Sequence, residues 1–369
     1  MTAKPLVMIS TRLAPGACGI GTHSLVLRKH WPATSPEPFE FVVNEGAAGV
    51  DGLRANDRVT EFANNGARLA RELERIGTAD VLLHYAGRAY HRFGVPLWLP
   101  RVLRRWKQQH PGARLMIFFH ELPGKMSITS RHFWLGELNA WAVRQLCAVA
   151  DVLATNTEHH AAKLRKLSRR ADIHILPIGS NIELAAARAS NRRETTECVL
   201  FGLSFGRLQT LQGFASDVPR WHAIGRLSKL HIIGPQDDAF SVEADQLMSG
   251  WPASIAITRH GRLPSDDVSQ LLQTATFALT NVSEETWSKS SAFMACATHR
   301  CAVIIAGARA QLPPLSSAIA ASEVDTISPD EVGRRTDALA GWAAQNARWP
   351  VIASRLASLL RTGAASHVG

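Results

Sequence analysis

Short apolar runs recur along the chain, each closed by a polar turn and followed by a longer stretch with apolar residues three and four apart. The runs are 5–11 (PLVMIST), 39–43, 80–85, 114–119, 151–156 and 173–176, and later 198–202, 230–234, 255–258, 277–280 and 302–305. The stretches with helical spacing are 22–27, 59–75, 96–109, 134–150 and 158–167, then 265–274 and 290–297. Ser328, Pro329 and Glu331 stand where a helix takes its cap, its first-turn proline and its third-position carboxylate. That helix should run to about Trp349, break or kink at Pro350 and resume to Arg361. Strands alternating with helices predict doubly wound parallel sheets, and two such series in succession predict two α/β domains. Residues 1–184 form the first domain and the polar stretch 185–197 a connection. Residues 198–349 form the second domain, and 350–369 a closing helical segment.

Polar residues collect at the carboxyl ends of the predicted strands: His84, Tyr85, His120, Glu121, Thr155, Asn156 and Ser180. That edge is where open α/β sheets bind ligands. The first strand also leads into a turn carrying Gly16, Gly19 and Gly21, where glycine permits a close backbone approach, though the G-x-G-x-x-G spacing is missing.

The densest chemistry lies in 280–307. Ser290 and Ser291 stand at a helix start whose first N–H groups lack internal partners, Lys289 precedes them, and Glu284 follows the end of a strand. A helix N-terminus beside a lysine is an anion site, and a carboxylate accepts hydrogen bonds from sugar hydroxyls. A sugar nucleotide fits this set. So does an ordinary capped helix beside a solvated lysine, and the local sequence does not choose between them.

Composition narrows the classes. At 369 residues with 46% hydrophobic and 20% charged residues, the chain reads as a globular protein, with no apolar run long enough to span a membrane and no signal segment. The expectation is a cytoplasmic protein. Five scattered cysteines, Cys18, Cys147, Cys198, Cys296 and Cys301, show no zinc-ligand spacing, so neither a metal nor a resident cofactor is expected. The net charge of +10 gathers at 101–109, 163–170 and 192–193. It suits anionic small substrates or peripheral contact with an anionic membrane. Nucleic acid is not expected, because no recognition motif accompanies the charge.

Taken together, the Gly16–Gly21 turn, Phe119-His120-Glu121, Pro177-Ile178-Gly179-Ser180, Gly206-Arg207-Leu208, Ile232-Ile233-Gly234 and Glu284 with its helix resemble the GT-B glycosyltransferases, most closely the retaining family 4. The resemblance covers nearly the whole chain. It implies two Rossmann-like domains facing across a cleft, an N-terminal one for the acceptor and a C-terminal one for a nucleotide-sugar donor, with the last helix crossing back. His120 matches the family's central histidine. With Glu284 and Lys289 it makes the expected catalytic set, and Gly19, Gly21, Arg207, Ser290 and Ser291 would hold the donor. His84, Tyr85, Glu121 and Asn156 would line the side of a glycan, lipid-linked or small-molecule acceptor. From the residues alone, Trp98, His132, Trp134 and Trp141 could line it too, though packing accounts for each of them better than sugar stacking does. Two departures stand out: Ala292 replaces a second glutamate, and Gln212 replaces the lysine of G-R-L-x-x-x-K-G.

Overall fold

The computed structural model describes residues 4–13, 19–32, 39–46, 53–124, 133–186 and 194–362. Two compact units emerge, one of residues 1–177 with 349–369 and one of 178–348.

In the first unit β1 (Leu6–Arg12), α1 (Gly19–His30), β2 (Phe39–Glu45), β3 (Arg58–Glu61), α2 (Gly66–Ile76) and β4 (Asp80–Tyr85) lead to the short α3 (Gly87–Tyr90) and α4 (Trp98–Gln109). Then come β5 (Arg114–Phe119), α5 (Phe133–Val149), β6 (Val152–Thr155), α6 (Glu158–Ser168) and β7 (Ile173–Ile175). The seven strands are parallel in the order β3-β2-β1-β4-β5-β6-β7. The order reverses between β1 and β4, so their carboxyl ends form a switch point.

The helical spacing read over 59–75 is corrected. Residues 58–61 pair as an edge strand with β2, Ala63 and Asn64 turn the chain with positive φ, and the helix begins only after Asn65. The Asn65 side chain caps it by accepting from the Ala67 and Arg68 amides at 2.9 and 3.1 Å. Val59 and Thr60 are β-branched and favour the pleat.

In the second unit β8 (Glu194–Phe201), α7 (Ser204–Gly213), α8 (Asp217–Ala223), β9 (Lys229–Ile233), α9 (Asp238–Met248), β10 (Ala256–Gly261), α10 (Ser265–Thr274) and β11 (Ala275–Thr280) are followed by a 3₁₀ turn, Trp287–Lys289. Then come α11 (Ser291–Thr298), β12 (Ala302–Ile305), β13 (Ile319–Ala320) and α12 (Pro329–Asn346). The sheet order is β10-β9-β8-β11-β12-β13, again parallel, with its switch point between β8 and β11. Alternation works on both faces. Cys198, Leu200, Leu230 and Ile232 pack under α7, α8 and α9, while Val199, Ile233 and Ala278 pack under α10, α11 and α12. Strand β8 takes in Glu194 to Glu197, the end of the stretch read as a connection.

Ser328 caps α12, accepting from the Glu331 amide at 3.2 Å. The chain breaks at Ala347 and Arg348, and α13 (Trp349–Thr362) carries Pro350 in its first turn, where a missing N–H costs nothing. Helix α13 packs on α1, β4 and β5 of the first unit. Its buried stripe is Ile352, Ala353, Leu356, Ala357 and Leu360.

Candidate active site

The switch point of the first unit holds three imidazoles. His84, the last residue but one of β4, is fully buried, and its Nδ1 lies 2.9 Å from Nε2 of His120, just past β5. His23, from α1, packs edge-on against both, with ring centroids 5.2 and 5.1 Å away, and against Trp349 of α13 at 5.0 Å. Burial pushes His23 down to about 3 and holds His84 and His120 well below the ordinary imidazole value, with neighbouring rings adding to the effect on His84 and His120. All three are neutral near pH 7. His23 Nε2 and His84 Nε2 are buried without a hydrogen-bond partner.

Of the residues expected on the acceptor side, His84 lies sealed behind His120 and reaches no surface. Asn156 is likewise buried, its Oδ1 unpartnered. Tyr85 and Glu121 do line a cleft, of about 320 Å³, whose wall also includes Arg88, Arg92 and Asn139. Tyr85 donates its hydroxyl to Asn139 Oδ1 at 3.4 Å. Trp98 is half-buried against Phe62, Trp134 and Trp141 are exposed on α5, and His132 lies outside the described residues. Sequence reasoning missed Arg88 and Arg92. The signal was present, two arginines between Gly87 and Gly94 just past a strand tip, but no helical or strand period frames them.

Gly19 starts α1 with open space beside it, whereas a Cβ on Gly21 would lie 1.7 Å from the Arg12 carbonyl oxygen. Gly21 is thus required by the approach of β1 to α1. Residues 14–18, including Gly16 and Cys18, lie outside the described residues. The other four cysteines are buried free thiols.

In the second unit the loops after β8, β9 and β11 meet at the sheet edge. Gly202 and Gly234 follow β8 and β9 with φ of 147° and 143°. A Cβ on Gly234 would lie 2.1 Å from the Gly202 oxygen and 3.0 Å from Arg207 Nε, so only glycine fits. Arg207, in the first turn of α7, is buried with its guanidinium 4.0 Å from the centre of the Phe240 ring. Its Nη2 donates to the Pro235 carbonyl and, at 3.3 Å, to Ser204 Oγ, while Nε and Nη1 have no acceptor. Burial lowers its pKa, an effect the Asp237 carboxylate partly offsets.

Across the edge, Ser290 caps α11 by accepting from the Phe293 amide at 3.2 Å, and Ser291 opens the helix. Ala292 points toward Gly202, 3.8 Å from where a Cβ there would stand. Glu284 and Lys289 are exposed on the loop between β11 and α11. Gln212 is exposed in the last turn of α7, so G-R-L-x-x-x-K-G here lies wholly on a helix. A wider depression of about 530 Å³ on the flank of this unit is open, and Arg259 on its wall already pairs with Asp245 at 2.5 Å. It gathers no comparable chemistry. Among the described residues no group of three His, Cys, Asp or Glu side chains is placed to hold a metal ion, and no helix is long and apolar enough to cross a membrane.

No family model matches the chain, and neither does any curated protein sequence. Solved structures do match. The chain is similar to a glycosyltransferase from Rickettsia africae (10% identity, TM-score 0.67, covering 98% of this chain and 99% of that one). It is similar to sucrose-phosphate synthase from Thermosynechococcus elongatus (13%, 0.64, 97% and 98%). It is also similar to trehalose-6-phosphate from Escherichia coli bound with UDP-2-fluoro glucose (13%, 0.64, 97% and 99%). These neighbours are GT-B glycosyltransferases, and the chain has the GT-B fold of two Rossmann-like domains.

Proposed function

We propose that this protein transfers a sugar from a nucleotide-sugar donor to an acceptor with retention of configuration, in the making of a glycan, a polysaccharide or a glycosylated metabolite. The observation that carries the reading is Arg207, a buried cation with two N–H-bearing nitrogens lacking acceptors, beside two glycines that bare the strand tips. A buried guanidinium calls for an anion, and the start of α11 adds the unpaired amides of a helix N-terminus. A donor diphosphate suits both.

In the proposed reaction the bond from the anomeric carbon to the diphosphate oxygen breaks. The acceptor hydroxyl bonds to that carbon from the same face and gives its proton to the departing phosphate oxygen. Negative charge grows on the diphosphate, and donors already in place stabilise it better than reorganising water does. Arg207, Lys289 and the first α11 amides serve here, and removing one charged donor raises the barrier by ~3 kcal/mol. Glu284 accepts from donor hydroxyls. His120, neutral and half-buried, hydrogen-bonds the transferred sugar through Nδ1, the nitrogen His84 leaves free.

A second reading, a GT-B protein without turnover, draws on Ala292 and Gln212. Calorimetry separates the first step: nucleoside diphosphates are titrated into the wild type and Arg207→Gln. The proposal expects one diphosphate to bind selectively, with at least a tenfold loss in the variant. Equal affinity in both proteins sinks it.

A further inference from the structure

We infer that the cleft beside β4 and β5 is an anion subsite, and that the acceptor carries a phosphate group held by Arg88 and Arg92. The word acceptor rests on the transfer reading above; the anion subsite does not.

The loop that bears the two arginines is braced. A Cβ on Gly87 would lie 2.6 Å from the Gly94 carbonyl oxygen, so the ends of the loop touch. The His91 amide donates to the Gly87 carbonyl at 3.1 Å, the Gly94 amide to the His91 carbonyl at 2.7 Å, and His91 Nδ1 accepts from the Val95 amide at 3.3 Å. Arg92 lies over the neighbouring Phe93 ring, 4.4 Å from its centre. Both arginines therefore stand on a closed loop at the wall of the cleft.

Neither arginine has an ion-pair partner among the described residues, and both stand on the wall of the cleft. Two unneutralised guanidiniums beside a concave wall raise the local potential for anions, and their planar forks match phosphate oxygens two at a time. A volume of about 320 Å³ suits a small phosphorylated molecule.

The cleft also has a direction. Glu121 sits on its wall next to His120, and the His120 amide donates to the Tyr85 carbonyl at 2.9 Å. A carboxylate repels phosphate and accepts from hydroxyls. The phosphate thus lies at the arginine end, and the hydroxyl-bearing end faces Glu121 and His120.

The same phosphate could arrive on a free sugar or on a lipid headgroup, and the experiment has an arm for each. Without any nucleotide sugar, the full chain is titrated calorimetrically with inorganic phosphate and glucose 6-phosphate. It is also sedimented with phosphatidylcholine vesicles with and without phosphatidic acid. The wild type should bind a phosphate probe saturably in at least one arm, and Arg88→Gln/Arg92→Gln should weaken that binding at least tenfold with an unchanged melting temperature. Binding in the soluble arm identifies a free phosphorylated acceptor, and binding only to phosphatidic acid vesicles a lipid-borne one. No saturable binding in either arm, or equal binding by the double variant, overturns the subsite. Failure of turnover on every donor counts against the transfer reading and leaves this result standing.

Discussion

The buried imidazoles make the first unit sensitive to acid, and the size of the effect follows from the structure. His23 and His84 are folded in neutral form, His23 held at about 3 against an ordinary 6.5 and His84 well below it, both by burial. Unfolding frees each ring to take a proton once the pH drops below 6.5. The contribution is therefore complete above about pH 7 and is lost as the pH falls through 6.5, at up to ~1.4 kcal/mol per pH unit per ring. By pH 5 His23 costs about 2 kcal/mol, and His84 and His120, lowered in the same direction by burial, add to that loss. Urea melts between pH 7.5 and 5, followed by tryptophan fluorescence, measure this directly. His231 and His260 of the second unit are also held low by burial, so a variant must isolate the cluster. His23→Phe keeps the aromatic contacts with His84, His120 and Trp349 and removes one titrating ring and one unpartnered nitrogen. It should lift stability at pH 5 by about 2 kcal/mol relative to its effect at pH 7.5. An identical pH slope in wild type and variant, or stability that rises on acidification, refutes the argument.

Other outcomes follow from single contacts. Asp57 receives Arg28 through Nε at 3.0 Å and Nη2 at 2.7 Å, both side chains almost fully buried; Asp57→Ala removes the carboxylate that faces this buried guanidinium and should cost about 3–5 kcal/mol in denaturant melts. Gly234→Ala drives a methyl into the Gly202 carbonyl and against Arg207, so calorimetry should show nucleotide affinity down at least tenfold along with a lower melting temperature. Lys289→Ala removes an exposed cation, so the melting temperature should hold while the turnover number falls about a hundredfold; near-normal turnover removes the lysine from the mechanism.

Much of this architecture is legible in the chain because its signals are local. Apolar runs at 80–85 and 114–119 need only their own continuous apolar character, as strands buried on both faces have, and the turns that follow, and Ser290 and Ser328 announce their helices by cap chemistry. Signals that depend on a neighbour were not legible. Val59 is a strand residue because β2 offers an edge, and Gly21 is glycine because Arg12 passes beside it. Arg207 reads as a phosphate ligand from its motif, yet its burial and its lean on Phe240 come from α9, far along the chain. His84 belongs behind His120 only because β4 and β5 pair in register, setting Tyr85 opposite Phe119. The arginines of the cleft carry no period at all, and only the closing of the 87–94 loop brings them together.

The measurement that bears most directly on the central claim is turnover of a panel of nucleotide sugars in the presence of phosphorylated and unphosphorylated acceptors, with products read by NMR. The account predicts that one donor is consumed, that nucleoside diphosphate appears in equal amount, and that the new glycosidic bond keeps the donor's anomeric configuration. A donor that binds but is never consumed would contradict transfer, and a product of inverted configuration would contradict the mechanism.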